Sequence, residues 1–299
     1  MYAESNSTMP LIVYGDSGCG KTSLIAKMVN ELASKNNTIL VRFLGTTEMS
    51  SNIIYCYRSL LCQLEYLLQV QQSDKTFSNL IEIKNNLVEK IIKYSQEFQN
   101  KRLVILLDSI DQLHSSDYND LIWVIEKFPS NVKLILSTLQ SHGSIMENLK
   151  KKIPYSSLNY LHIEPMSQSN AKLILENWLS VSNRSLVESQ WSLINNIFTN
   201  SKLYPLFVRL IFDIVIKWRS FQQPDEEFKK ITTIDDCIRY LFKLLEKEHG
   251  KVLFSRCVFY MNVMSNGISE SELENIISLD DMRKKIIFLF FGIHFFIIN

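Results

Sequence analysis

Near the start of the chain, Gly15-Asp16-Ser17-Gly18-Cys19-Gly20-Lys21-Thr22 has the spacing G-x-x-x-x-G-K-[ST], and Ser23 follows it. These residue types can cradle a polyphosphate. Glycines let backbone N–H groups turn inward and approach phosphate oxygens. Lys21 can reach the β- and γ-phosphates as a compact cation, and the Thr22 hydroxyl suits Mg²⁺. The loop leads into a helical pattern, whose N-terminus presents a partial positive charge to the same anion.

Further along, Leu103-Val104-Ile105-Leu106-Leu107-Asp108 is an apolar run ending in a carboxylate. Asp108 would hold Mg²⁺ directly or through water. Asp111 comes three residues later. Two readings stand for it: a carboxylate that orients or deprotonates an attacking water, or a cap or turn carboxylate. Val132–Thr138 is a second apolar run, ending in Ser137-Thr138. That pair reads either as a sensor of the γ-phosphate or as a plain strand end. No Asn-Lys-x-Asp motif occurs, which weighs against guanine recognition.

These groups must be positioned by the elements around them. Pro10–Tyr14, Thr38–Leu44, Leu103–Asp108, Val132–Thr138 and Tyr160–Ile163 read as strands buried on both faces. Between them, Lys21–Lys35, Asn52–Leu68, Ser78–Phe98 and Tyr118–Phe128 read as helices, the last stopped by Pro129. The alternation predicts an α/β core with a parallel sheet flanked by helices. After Pro165 only helical patterns follow: Ser167–Leu179, Glu188–Phe198, Pro205–Arg219, Ile234–His249, Lys251–Met264 and Ser269–Ile277. Pro205 suits a first helical turn. The expected divisions are a nucleotide-binding core over 1–165, a helical domain over 166–223, a third module over 224–283 and an aberrant apolar tail over 284–299.

Composition narrows the classes. The 299 residues carry 32 Lys+Arg against 31 Asp+Glu, so a general grip on nucleic acid or acidic lipid is not indicated. The five cysteines are scattered without CxxC spacing, which points to a reducing, cytoplasmic setting without disulfides or zinc. His114, His142 and His162 do not cluster with them, and Lys150-Lys151-Lys152 reads as a solvated loop. The apolar tail is too short for a membrane-spanning helix. It reads as a foreign end, a buried terminal strand or a membrane-associated segment, and it is expected to contribute no functional residue.

The segments GDSGCGKTS, FLGTTEMSSNIIYCYRSLLCQL, LVILLDSIDQL, VKLILSTL and LHIEPMSQSNAKLILENWL resemble, in order and spacing, the NACHT domain of STAND P-loop NTPases. FLGTT and LDSIDQL look most like the NACHT and WD-repeat proteins. The resemblance implies an ATP/ADP cradle of Gly15, Asp16, Ser17, Gly18, Cys19, Gly20, Lys21, Thr22 and Ser23, with Thr22 and Asp108 on Mg²⁺. It implies that Pro205, in KLYPLFVRL, packs beside adenine, and that residues 230–280 begin a winged-helix domain. Two departures stand out: Gln112 where relatives often carry an acid, and Leu139 where many carry arginine. Both remove charge near the γ-phosphate, so slow hydrolysis is expected.

The reading that follows is a nucleotide-switched signalling module that self-associates, with no specific nucleic-acid partner and no membrane span. The alternatives are a turnover ATPase acting on a client and a non-hydrolysing, nucleotide-bound scaffold.

Overall fold

The computed structural model describes residues 7–35, 37–70, 77, 79–221, 225–264 and 267–279, with residues 118–120 described by backbone alone. The apolar tail at 284–299 and residues 222–224, at the expected boundary between the second and third modules, lie outside these. Contacts divide the chain into two units, one ending at Met166 but also holding Tyr204–Leu206, the other beginning at Ser167.

In the first unit, β1 (Leu11–Gly15), β2 (Thr38–Phe43), β3 (Leu103–Asp108), β4 (Val132–Leu139) and β5 (Tyr160–His162) form a parallel sheet in the order β2-β3-β4-β1-β5. Each β3 residue is buried. The period-two alternation of the strand divides them between two cores. Leu103, Ile105 and Leu107 join Ile12, Leu134 and Leu136 against α2 (Ile53–Leu67) and α3 (Leu80–Glu97). Val104 and Leu106 join Leu11, Val13 and Ile135 against Ile25 and Leu32 of α1 (Lys21–Ala33). This double burial is why the strands read as continuous apolar runs. Because every strand pair is parallel, Gly15, Asp108 and Leu139 lie together at the C-terminal end of the sheet, where α1 follows β1.

Strand expectations hold to within a residue or two, while one expected helix and one expected loop do not. Tyr118–Phe128 is not one helix. A short α4 (Ser115–Asp120) ends at Leu121, which has φ 48°, and the chain then runs irregularly to β4. The physical reason is where the apolar groups go. Leu121, Trp123, Val124 and Phe128 are buried in the α2/α3 core. Their backbone is satisfied without a helix: the Tyr57 hydroxyl donates to the Trp123 carbonyl at 2.6 Å, and Lys84 Nζ donates to the Val124 carbonyl at 2.9 Å. Phe128 N donates to the Thr8 carbonyl at 2.9 Å. Buried side-chain partners thus replace the helical ladder that period alone suggested.

The second correction concerns Lys150, Lys151 and Lys152. They form the last turn of α5 (Ile145–Lys152), not a loop. Cations suit a helix C-terminus, and Lys152 Nζ also donates to the Leu121 carbonyl. Ile145, Met146 and Leu149 anchor this helix in the core.

The second unit holds α6 (Gln168–Val181), α7 (Glu188–Thr199), most of α8 (Pro205–Val215), α9 (Ile234–His249), α10 (Lys251–Val263) and α11 (Glu270–Leu279). Phe228 is fully buried there, edge-on to Trp218 at 4.8 Å and Tyr240 at 5.5 Å. Thr233 and Asp236 form a reciprocal cap that starts α9, as the Thr-x-x-Asp spacing allows. Leu253 and Cys257 of α10 pack on Leu273 and Ile277 of α11. No described helix is long and apolar enough to cross a membrane.

Candidate functional site

The glycine-rich loop joins β1 to α1. Gly18 and Gly20 have φ 76° and 93°, a left-handed backbone that disfavours a Cβ. Gly15 is required for space instead. A Cβ there would meet the Ile163 carbonyl oxygen at 3.0 Å and Cys19 Sγ at 2.9 Å. Gly20 offers no capping side chain, so the first-turn amides of α1 stay available to an anion. Ser17, Thr22 and Ser23 are exposed along the loop and the first turn, while Cys19 is buried beneath it.

Lys21 is buried, and its ammonium is held inside the loop. Nζ donates to the carbonyls of Gly15 and Asp16, each at 3.0 Å, and lies 3.7 Å from Cys19 Sγ. Its cationic end therefore belongs to the loop itself, within the turn that the glycines make.

Asp108, at the end of β3, is 2% exposed. It meets the loop through Thr22, whose Oγ1 donates to Asp108 Oδ2 at 2.7 Å. Ser137 Oγ donates to the other carboxylate oxygen and accepts from Ser109 N at 2.8 Å. Ser109 has φ 61°, a left-handed conformation costly for a residue with a side chain. The strain buys the turn that brings the Ser109 amide onto Ser137. Thr22, Asp108, Ser137 and Ser109 therefore form one connected polar chain across β3, β4 and α1.

Asp111 sits in a short 3-10 turn over Ile110–Gln112 and is 5% exposed. Oδ1 accepts from Leu139 N at 2.9 Å, and Oδ2 accepts from Gln112 Nε2 at 2.9 Å. The carboxylate thus ties the turn after β3 to the end of β4. Thr138 is buried beside it, its hydroxyl 3.4 Å from the Leu139 carbonyl. Gln112 packs over Gly45, where φ is 77° and a Cβ would fall 2.5 Å from Gln112 Cβ. The loop after β2 is thereby pressed against the turn that carries Asp111.

Pro205 opens α8 and lies over the loop: a Cβ on Gly20 would stand 3.5 Å from its Cγ. Sequence reasoning singled out Pro205 but missed its neighbour. Tyr204 is buried, and its hydroxyl donates to Asp16 Oδ2 at 2.7 Å, 188 residues away in sequence. Periodicity marks Tyr204 only as an apolar position, and no local signal announces its partner. Gly45 was missed too, although a glycine in FLGTT is the type that a close backbone approach demands.

Hard oxygens converge where Thr22 meets Asp108, which suits Mg²⁺ better than a softer metal. Among the described residues, no group of three or more His, Cys, Asp or Glu could hold a metal. Thr22 and Asp108 are the residues that would hold Mg²⁺, with phosphate and water oxygens as its other ligands.

The profile of the NACHT domain matches residues 9–182. The chain is 32% identical over 284 residues to mouse NACHT and WD repeat domain-containing protein 2, covering 91% of this chain and 16% of that protein. It is 30% identical over 286 residues to mouse NACHT domain- and WD repeat-containing protein 1, covering 93% of this chain and 18% of that protein. The chain thus spans less than a fifth of the length of these relatives. Among solved structures it is similar to Cdc6p from Pyrobaculum aerophilum, with TM-score 0.43, 14% identity, and coverage of 69% of this chain and 53% of the other.

Proposed function

This chain belongs to the NACHT family, and from that premise we propose that it is an ATP/ADP-binding switch module of a longer NACHT and WD-repeat protein. In this reading Gly15, Asp16, Ser17, Gly18, Cys19, Gly20, Lys21, Thr22 and Ser23 hold the phosphates. Pro205 packs beside the base, and Thr22 and Asp108 hold Mg²⁺. The observation that carries the reading is the junction of Thr22 Oγ1 and Asp108 Oδ2, 2.7 Å apart at the N-terminus of α1. A phosphate-loop hydroxyl and a strand-end carboxylate meet there, as Mg²⁺·nucleotide binding needs.

Bound Mg²⁺ would supply charge neutralisation at the β- and γ-phosphate oxygens. The chain's own residues bear on how fast water attacks. Asp111 already accepts from Leu139 N and Gln112 Nε2, which favours a structural part over that of a free general base. With glutamine at 112, no acid follows Asp111 directly in sequence. This supports a slow or absent hydrolysis and a switch, rather than a turnover enzyme. The Ser137 hydroxyl donates to Asp108, which favours orienting that carboxylate over sensing a γ-phosphate directly.

We extend the proposal to the rest of the chain. Residues 166–223 would act as the helical domain and 224–283 as the start of a winged-helix domain, while ADP holds the closed state and ATP permits self-association. The experiment is the solution mass of the protein with Mg²⁺·ADP and with a non-hydrolysable Mg²⁺·ATP analogue. A larger species with the ATP analogue alone is expected. Equal masses in both would overturn the switch.

Gln112→Glu gives a narrower test. Glutamate cannot donate to Asp111, so the 2.9 Å hydrogen bond is replaced by two adjacent carboxylates. Their repulsion should free one of them toward water and raise steady-state ATP hydrolysis by ~10-fold or more, part of the roughly 100-fold or more that a well-placed general base supplies. An unchanged rate, with nucleotide still bound, would mean that a missing acid is not what slows the chemistry.

A further inference from the structure

The residues on either side of Pro205 also reach the phosphate loop. The Tyr204 hydroxyl donates to Asp16 Oδ2 at 2.7 Å. The Pro205 ring covers Gly20, and Leu206 N donates to the Gly18 carbonyl at 3.2 Å. Three consecutive residues thus engage the second, fourth and sixth positions of the loop, and Tyr204–Leu206 cluster with the loop's own unit. Asp16 stands between two functions. Its side chain accepts a hydrogen bond from the Tyr204 hydroxyl, and its carbonyl accepts one from Lys21 Nζ at 3.0 Å.

We propose that Tyr204 is a positioning residue for the phosphate loop: through Asp16 it fixes the loop in the shape that retains nucleotide. The proposal rests on the nucleotide-binding reading above. Its physical basis is electrostatic as well as geometric. A carboxylate in a loop built for phosphate is a like charge, and its placement decides how strongly it repels the anion. The phenol holds the Asp16 carboxylate on the Tyr204 side by a charge-assisted hydrogen bond. The Asp16 carbonyl, fixed by the same residue, then helps to set where the Lys21 ammonium rests. Burial first, and the Asp16 carboxylate next, push the Tyr204 phenol well above the usual tyrosine range, so it keeps its proton and stays a donor.

The test combines two readouts on the full chain: the dissociation rate of a fluorescent Mg²⁺·ADP analogue, and amide hydrogen exchange across residues 15–22 without added nucleotide. Both are measured for the wild type, Tyr204→Phe, Asp16→Ala and the double variant. Phenylalanine keeps the ring and removes only the donor. Tyr204→Phe should raise the dissociation rate by about 10-fold, the worth of one hydrogen bond to a charged group. In the Asp16→Ala background the same change should matter by less than about 2-fold, because the two act as one unit. Exchange across 15–22 should quicken in Tyr204→Phe. An equal effect of Tyr204→Phe in both backgrounds would overturn the proposal, since the ring would then act by packing alone. So would unchanged exchange. If the wild type binds no analogue, the nucleotide reading fails, and the exchange arm still decides whether Tyr204 orders the loop.

Discussion

Lys21→Ala should abolish saturable ATP binding in a direct titration, with affinity reduced by at least ~100-fold, on the scale of losing a buried charge-assisted contact to an anion. The ammonium is the cation that the phosphate loop itself holds, within 3.0 Å of the Gly15 and Asp16 carbonyls. Without it, those carbonyl oxygens face an incoming phosphate with no intervening positive charge. Lys21→Arg should not restore affinity. A planar guanidinium needs a fork-shaped partner, whereas Lys21 is a point charge fitted between two carbonyls. Unchanged affinity in Lys21→Ala, with the melting transition preserved, would remove the phosphate-site assignment.

Asp108→Asn should separate metal binding from nucleotide binding. Asparagine keeps the shape of the side chain and can still accept from Ser137 or Thr22, since both hydroxyls can rotate. It lacks the charge that favours Mg²⁺. The enhancement of nucleotide affinity by Mg²⁺ should fall by about 10-fold or more, the differential worth of a charged ligand, while metal-free affinity changes less. Titrations with Mg²⁺ and with EDTA check this. Persistence of the full Mg²⁺ enhancement would place the metal ligand elsewhere.

Much of the first unit was legible because its physics is local. The glycine loop, the apolar strands and the amphipathic α1 and α2 each declare themselves within a short window. The parallel sheet follows from their alternation, and the carboxylate of Asp108 from the end of its strand. What stayed hidden was settled by distant partners. Leu121–Phe128 has helical spacing, yet the Tyr57 hydroxyl and Lys84 Nζ satisfy the carbonyls of Trp123 and Val124 and let the segment run irregularly. Asp111 gave two readings because a carboxylate after a strand looks the same whether it faces water or a backbone amide. Only the fold brings Leu139 N to it. The Tyr204–Asp16 pair was invisible for the same reason, its partners lying far apart along the chain. The helices after residue 166 were recognisable from periodicity, since each buries one stripe against its neighbours. The division of that half into modules has no comparable local mark.

In the proposed function this NACHT chain binds one nucleotide at the loop between β1 and α1, with Mg²⁺ at Thr22 and Asp108. Calorimetric titration of Mg²⁺·ADP into protein stripped of nucleotide tests it most directly. Saturation at one nucleotide per chain, weakened when Mg²⁺ is replaced by EDTA, is the predicted result. Absence of saturable binding in the folded wild-type protein would contradict it.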